Sequence, residues 1–366
     1  MKILYDHQVY VTQKFGGINR YFDEISKITI ADVTVEKIDP NLFNISQPLD
    51  KTDIISRGLR FAKRKLGTSN AQKVIFPLDA ARSLSSNEFD VFHPTYYNPY
   101  FLSMVNKPFV LTVYDMIHEI YNEYFSLSDP TSHNKMLLCE KATKIIAISN
   151  QTKQDIINIF RVPEEKIEVT LLASDFASVL PIKPSRLLNL KKYILFVGNR
   201  GGYKNFYFMV MALSSVLKED EDLQILCTGH QFNSEEMSFF KSFGVDKQML
   251  NIYLEDDSEL SWVYQNAELF IYPSLYEGFG LPLLEAFASG CPVVSSTGGS
   301  LPEVGGDAAL YFDPKNVLQM QIAVKSCLYD QLVRKSLVLK GTARLSEFSW
   351  DKCRNETLSI YKSICN

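Results

Sequence analysis

The sequence lacks the features that would place it in a membrane, around a metal or along nucleic acid. No apolar run approaches the ~18 residues that a membrane span needs. The six cysteines (Cys139, Cys227, Cys291, Cys327, Cys353 and Cys365) are scattered, with no Cys-x-x-Cys spacing. Neither a disulfide framework nor a thiolate metal site is therefore expected, and a reducing compartment is. Charge of neither sign dominates: 38 Lys and Arg against 42 Asp and Glu leave a formal net charge of −4. That balance argues against a broad nucleic-acid surface. Residues 1–6 read as a strand that starts at once, so no signal peptide is expected ahead of the fold. These absences predict a soluble, cytoplasmic protein. Its 366 residues, 46% of them hydrophobic, suffice for two domains with separate cores.

Short β-like runs separated by helical patterns occupy the first half: Lys2–Tyr5, Val33–Ile38, Val91–His93, Phe109–Val113, Lys144–Ile148 and Ile167–Thr170. This alternation predicts a doubly wound parallel sheet. After the first run, Ile18, Tyr21, Phe22 and Ile25 repeat at the spacing of a helix face that starts at Gly16-Gly17. In an open α/β sheet that loop lies at the carboxyl ends of the strands, where ligands bind. Glycines there serve equally as a tight turn or as a close approach to a phosphate or sugar. Two further strand ends carry polar groups: His93 among aromatics in 90–97, and Tyr114, Asp115, His118 and Glu119 in 111–119. Ser149 reads as a helix cap. Residues 56–66 hold five positive charges between Arg57 and Lys65 and could form a basic amphipathic helix on an anionic membrane, or a plain solvated face. The stretch 176–190, with two prolines and no periodicity, suits a linker.

In the second half, a strand ends at Gly198 and is followed by Asn-Arg-Gly-Gly-Tyr-Lys-Asn205. Arg200 and Lys204 flank a flexible turn, as a diphosphate cradle requires: the first pairs bidentately, the second acts as a point charge. Five more strands are expected at Gln224–Thr228, Asn251–Leu254, Leu269–Tyr272, Val293–Ser295 and Ala309–Phe312. Asp220-Glu-Asp222 falls between a helix end and a strand start, away from the ligand side, and reads as a solvated turn with no metal. Thr297–Glu303 makes another glycine turn, either sharing phosphates or purely structural.

The most informative stretch is Ile271-Tyr-Pro-Ser-Leu-Tyr-Glu-Gly-Phe-Gly-Leu-Pro-Leu-Leu-Glu285. A buried strand runs into a glycine turn, and Pro282 stands where a helix starts best. The bare N–H groups of such a start suit phosphate. Glu277 and Glu285 bracket the turn, and ionised carboxylates accept hydrogen bonds from vicinal sugar hydroxyls.

Glu277-Gly-Phe-Gly-Leu-Pro-Leu-Leu-Glu285 resembles the Glu-x7-Glu signature of retaining glycosyltransferases of family 4, group 1. The segment Gly198–Asn205 resembles that family's diphosphate site. The resemblance covers nearly the whole chain, specifically in 196–313 and more loosely before 175. It implies the GT-B fold, an α/β architecture of two Rossmann-like parallel-sheet domains facing across a cleft. Residues 1–175 would form an acceptor domain, completed by a helix at 350–366 that crosses back; 176–191 would link it to a nucleotide-sugar domain at 192–349. Carried over residue by residue, the resemblance implies donor contacts from Gly16, Gly17, Gly198, Arg200, Lys204, Gly278, Phe279, Gly280 and Leu281. Glu277 would meet the transferred sugar, Glu285 the ribose, and Tyr253 and Leu254 the base through their backbone. Arg200, Lys204 and Glu277 would carry catalysis, without a metal or other cofactor. His93, Asp115 and His118 are the acceptor candidates. Relatives have a His-Asp pair where this sequence has Tyr114-Asp115, so no role is carried over from that histidine. The pattern is most like bacterial polysaccharide and lipopolysaccharide assembly enzymes, many of them mannosyltransferases. The expected donor is therefore GDP-mannose, with UDP-hexoses next, and the expected acceptor a glycan or lipid-linked hydroxyl. Segment 57–65 is a candidate for peripheral contact with the inner membrane face. The alternatives are a catalytically silent nucleotide-sugar-binding subunit and a sugar-nucleotide epimerase.

Overall fold

The computed structural model describes residues 1–12, 16–30, 32–38, 84–187, 190 and 192–365; the basic segment 57–65 lies outside them. Strands of the first half are β1 (Lys2–Tyr5), β2 (Thr34–Lys37), β3 (Val91–His93), β4 (Val110–Val113), β5 (Lys144–Ala147) and β6 (Ile167–Val169). They order as β2-β1-β3 and β4-β5-β6, and a parallel bridge between Phe92 and Phe109 joins the two trios. The second half holds β7 (Tyr193–Phe196), β8 (Gln224–Thr228), β9 (Met249–Ile252), β10 (Leu269–Tyr272), β11 (Val293–Ser296) and β12 (Ala309–Phe312). These form one sheet ordered β12-β11-β10-β7-β8-β9. Every strand pairing is parallel. Strands β4, β7, β10 and β11 are buried along their whole length. Burial on both faces, as in a parallel sheet covered by helices, explains the unbroken apolar runs of β7 and β10.

The strand order reverses direction between β1 and β3 in the first set and between β7 and β10 in the second. At such switch points neighbouring loops diverge and leave a crevice outside the carboxyl strand ends. The loops that leave β1, β7 and β10 carry Gly17, Arg200 to Lys204, and Glu277 to Leu281. Topology thus brings together three segments drawn from both halves of the chain.

One strand is displaced from its expected position. β9 spans Met249–Ile252, because its register against β8 runs from Ile225↔Met249 to Thr228↔Ile252. Tyr253 and Leu254 consequently lie beyond the strand. The final helix, Trp350–Ser363, buries Trp350, Cys353, Leu358 and Tyr361 and packs on the Gly17–Ile25 helix of the first half. Arg354 pairs with Glu24 at 2.9 Å, and the Tyr361 hydroxyl lies 3.1 Å from that of Tyr5. Among the described residues, no helix is long and apolar enough to cross a membrane.

Candidate active site

A cleft of about 890 Å³ opens where the loops of the two sheets converge. The first half contributes Gly17, Ile18, Tyr21, Tyr114 and Asp115; the second contributes Gly198, Arg200, Tyr203, Lys204 and the run from Glu277 to Pro282.

Backbone packing explains the glycines of the signature loop. A Cβ on Gly278 would stand 1.8 Å from the Tyr114 carbonyl oxygen and 2.8 Å from Asp115 Cβ. The loop therefore touches the opposite half at van der Waals range, and any side chain would hold the halves apart. From behind, the Thr297–Glu303 turn braces it. Gly299 has φ +62°, and a Cβ there would meet the Glu277 carbonyl oxygen at 2.3 Å. The Ser300 N–H donates to the Glu277 carbonyl at 3.0 Å, and its hydroxyl donates to the Phe279 carbonyl at 2.8 Å. Of the two readings left open for this turn, the geometry supports the structural one, since Gly298 to Glu303 do not line the cleft.

The charged groups form two clusters. Lys204 Nζ donates to Glu277 Oε1 at 2.7 Å, and the same oxygen accepts from Ser274 Oγ at 2.5 Å. The ammonium also lies 5.3 and 5.5 Å from the ring centres of Tyr203 and Tyr272, whose negative faces support a cation. Arg200 is held by Glu236, with Nε donating to Oε1 at 2.6 Å, and by the His230 carbonyl, which accepts from Nη2 at 2.9 Å. Its Nη1 has no hydrogen bond to the described residues and points toward Gly229, within 3.9 Å of where a Cβ would stand. Burial opposes the charge on Glu236, but hydrogen bonds from Arg200 and the Asn233 N–H outweigh it and keep the carboxyl below its usual range. The guanidinium is thus fixed in place with one nitrogen left for a ligand. The Asn233-x-x-Glu236 capping box was legible in the sequence. That its glutamate also clamps Arg200 was not.

Other candidates fall outside the cleft. Glu285 sits one turn along the Leu281–Ala288 helix, with its side chain 13% exposed. It accepts from the Tyr264 hydroxyl at 3.3 Å and lies 3.8 Å from Arg20 Nη1. Arg20 also pairs with Asp257 at 2.6 Å, so one guanidinium of the first half spans two carboxylates of the second. Burial raises the Glu285 carboxyl to about 7; Arg20 lowers it and Asp257 raises it further. Gly16 caps its helix without lining the cleft. Tyr253 and Leu254 do not line it either, and the Tyr253 carbonyl accepts from Arg186 Nε at 2.8 Å.

Among the acceptor candidates only Asp115 faces the cleft. Its Oδ1 accepts from the Ile117 N–H at 3.0 Å, and the buried Lys135, missed in the sequence, donates to its carbonyl at 2.9 Å and to Glu119 Oε2 at 2.9 Å. His93 is corrected to a core residue. It is fully buried, with Nδ1 2.6 Å from the Tyr361 hydroxyl and Nε2 2.9 Å from Thr112 Oγ1, and burial lowers it to about 3. His118 stacks on Phe125 at 3.8 Å and lies 3.7 Å from Asp129, also away from the cleft. Burial and Lys135 lower its pKa.

Contacts between the halves surround the cleft. The Glu303 carboxylate accepts from the Asn150 N–H at 2.8 Å, from Asn150 Nδ2 at 2.9 Å and from the Gln151 N–H at 3.0 Å, at the start of the Asn150–Phe160 helix. Ser149 caps that helix through Thr152 N at 3.0 Å, as expected, and also donates to the Gly278 carbonyl at 2.8 Å. Tyr276 donates to Asp155.

Comparison with known proteins agrees with this geometry. The family described as Glycosyltransferase Family 4 matches residues 15–171, and that described as Glycosyl transferases group 1 matches residues 182–344. The O-antigen chain mannosyltransferase B of Escherichia coli is 28% identical over 388 residues, covering 100% of both chains. The serotype-specific mannosyltransferase WbdA of Escherichia coli is 27% identical over 259 residues, which is 66% of this chain and 32% of that protein. Among solved structures, Anabaena HepE in complex with UDP and glucose has a TM-score of 0.72 over 99% of this chain and 100% of its own, at 17% identity. Two facing parallel sheets, a cleft between their switch points and matches along both halves lead to one statement: the chain belongs to the group 1 glycosyltransferases of family 4 and has the GT-B fold.

Proposed function

We propose that the protein transfers mannose from GDP-mannose, with retention of anomeric configuration, to a hydroxyl of a growing cell-surface polysaccharide of the O-antigen type. The observation that carries this reading is the convergence of Arg200, Lys204 and Glu277 in one cleft, beside the N-terminus of the Leu281–Ala288 helix. The mannosyl donor and polysaccharide acceptor rest on the similarity to the two Escherichia coli relatives, an O-antigen chain mannosyltransferase and a serotype-specific mannosyltransferase.

The residues suit the chemistry. As the bond from sugar to diphosphate breaks, negative charge builds on the leaving oxygen, and preorganised cations aimed at it lower the barrier. Arg200 Nη1 and Lys204 would supply them, in place of a metal. Glu277 would release Lys204 to the diphosphate and accept a sugar hydroxyl. Asp115, facing it from the other half, is the acceptor-side candidate, and the leaving diphosphate would take the acceptor proton. Contacts between the halves would exclude water from the reacting carbon.

The test is thermal unfolding with nucleoside diphosphates and their mannose and glucose esters, with and without EDTA, followed by product formation on an α-mannoside. A ligand at ~100 times its dissociation constant adds ~2.7 kcal/mol of stability. A shift with GDP and GDP-mannose that survives EDTA, with an α-linked product, is expected. A shift with UDP alone would move the donor to a UDP-hexose, and no shift with any nucleotide would overturn the transferase reading.

A further inference from the structure

A second, smaller cavity of about 200 Å³ lies in the first half. Its lining includes Tyr96, Tyr97, Tyr100, Asn98, Thr131 and Asn134. A chain of rings connects it to the main cleft. Tyr114, which lines the cleft, stacks on Tyr96 with centroids 6.5 Å apart and planes at 15°. Tyr96 in turn lies 4.7 Å from Tyr97.

The walls are fixed before any ligand arrives. Asp6 accepts from the Tyr100 hydroxyl at 3.0 Å and from Gln8 Nε2 at 2.7 Å. Gln8 Oε1 accepts from the Asn98 N–H at 2.8 Å, and the Tyr97 hydroxyl accepts from the Tyr114 N–H at 3.0 Å. Such preorganisation lowers the entropic cost of binding. Two carboxamides remain to serve a ligand. Asn98 Oδ1 accepts from the Tyr100 N–H at 3.1 Å, while its Nδ2 and the side-chain amide of Asn134 have no hydrogen bond to the described residues.

Size and chemistry narrow the occupant. The volume falls below the ~300–1,000 Å³ of sites for drug-sized ligands, so it takes one ring rather than a nucleotide. Among the described residues no Lys or Arg lines it; the Lys135 ammonium, 5.2 Å from the Tyr97 ring centre, is paired with Glu119, and burial lowers the basicity of His7 despite Asp6. A phosphate would find no unpaired positive charge among those residues. Amides that donate and accept, set beside aromatic faces, match a neutral polyol whose C–H face lies on a ring.

We propose that this cavity is an acceptor subsite, holding a sugar unit of the glycan set back from the hydroxyl that is glycosylated. The assignment rests on the transferase reading. It makes the enzyme a reader of acceptor length: a chain that reaches from the cleft past Tyr114 to Tyr96 is favoured over a single sugar.

The experiment measures binding of methyl α-mannoside and an α-linked mannotriose by titration calorimetry in the presence of saturating GDP. The proteins are wild type, Asn98→Ala/Asn134→Ala and the cavity-filling Asn134→Phe. Calorimetric GDP binding to each preparation checks the fold and the main cleft. Wild type is expected to bind the trisaccharide at least tenfold more tightly than the monosaccharide. Both variants are expected to lose that preference while binding GDP as wild type does. Equal preference in wild type and variants, or no preference in wild type with GDP bound, would overturn the subsite alone. Absence of GDP binding to wild type would overturn the transferase reading and the subsite with it.

Discussion

Removing the Glu303 carboxylate should loosen the contact between the halves without unwinding either. In the structure it receives three hydrogen bonds, at 2.8 to 3.0 Å, from the first residues of the Asn150–Phe160 helix. Negative charge at a helix N-terminus contributes up to ~2 kcal/mol in partly buried geometry. Charge-assisted hydrogen bonds raise that figure and partial exposure of the site lowers it, so Glu303→Ala should cost ~2 kcal/mol. The helix keeps its own cap in the variant, because Ser149 Oγ still accepts from Thr152 N at 3.0 Å. The loss therefore falls on the closed arrangement. At 1.4 kcal/mol per factor of ten, the ratio of closed to open molecules should drop about 30-fold. Small-angle scattering without ligand should report a larger radius of gyration for Glu303→Ala. Glu303→Gln, which keeps one acceptor oxygen and loses the charge, should fall between the two. Superposable profiles for wild type and Glu303→Ala, with unchanged donor KM, would refute the reasoning.

Three further outcomes are expected. Lys204→Ala should lower kcat by ~10²–10³ on the scale of a lost charge-stabilising donor, with a smaller effect on the KM for donor; an unchanged kcat would remove Lys204 from the reaction. Gly278→Ala should bind nucleotide in a thermal shift yet lose turnover, since the methyl group would stand 1.8 Å from the Tyr114 carbonyl oxygen; normal turnover would show that the halves need not touch there. Burial raises Glu285 from 4.5 to about 7 in the folded protein. Its contribution to stability is therefore full below pH ~4.5 and is lost as pH rises through ~7. Urea unfolding at pH 5 and pH 8 should show wild type losing on the order of 3 kcal/mol more than Glu285→Gln over that interval. Parallel pH profiles would place Glu285 at its ordinary pKa.

The sequence made the cleft legible because loops after parallel strands share one edge of a sheet. Arg200 and Lys204 after one strand, and Glu277 after another, could thus be placed on that edge, the resemblance grouped them, and turn chemistry accounted for the glycines at 278 and 280. The same rule misled at His93, which ends a strand but is covered by Tyr361, 268 residues later in the chain. Contacts of that range leave no local trace. Glu236 and Glu303 were missed for a related reason: the helix-capping patterns of Asn233 and Ser149 are local, but the partners that share them come from distant loops. Tyr253 and Leu254 shifted because β9 follows its pairing with β8 rather than the limits of its apolar run.

The way Tyr361 closes the first half sets an order of events during synthesis. Until the last helix leaves the ribosome, His93 and Tyr5 lack the hydroxyl that satisfies them, and the helix bearing Tyr21 and Phe22 lacks its cover. The half made first cannot finish its core before the half made second. The C-terminal sheet, by contrast, draws on no strand outside 193–312 among the described residues. It can mature while the N-terminal sheet waits, so a chain cut before Trp350 should present an exposed apolar face to chaperones and proteases.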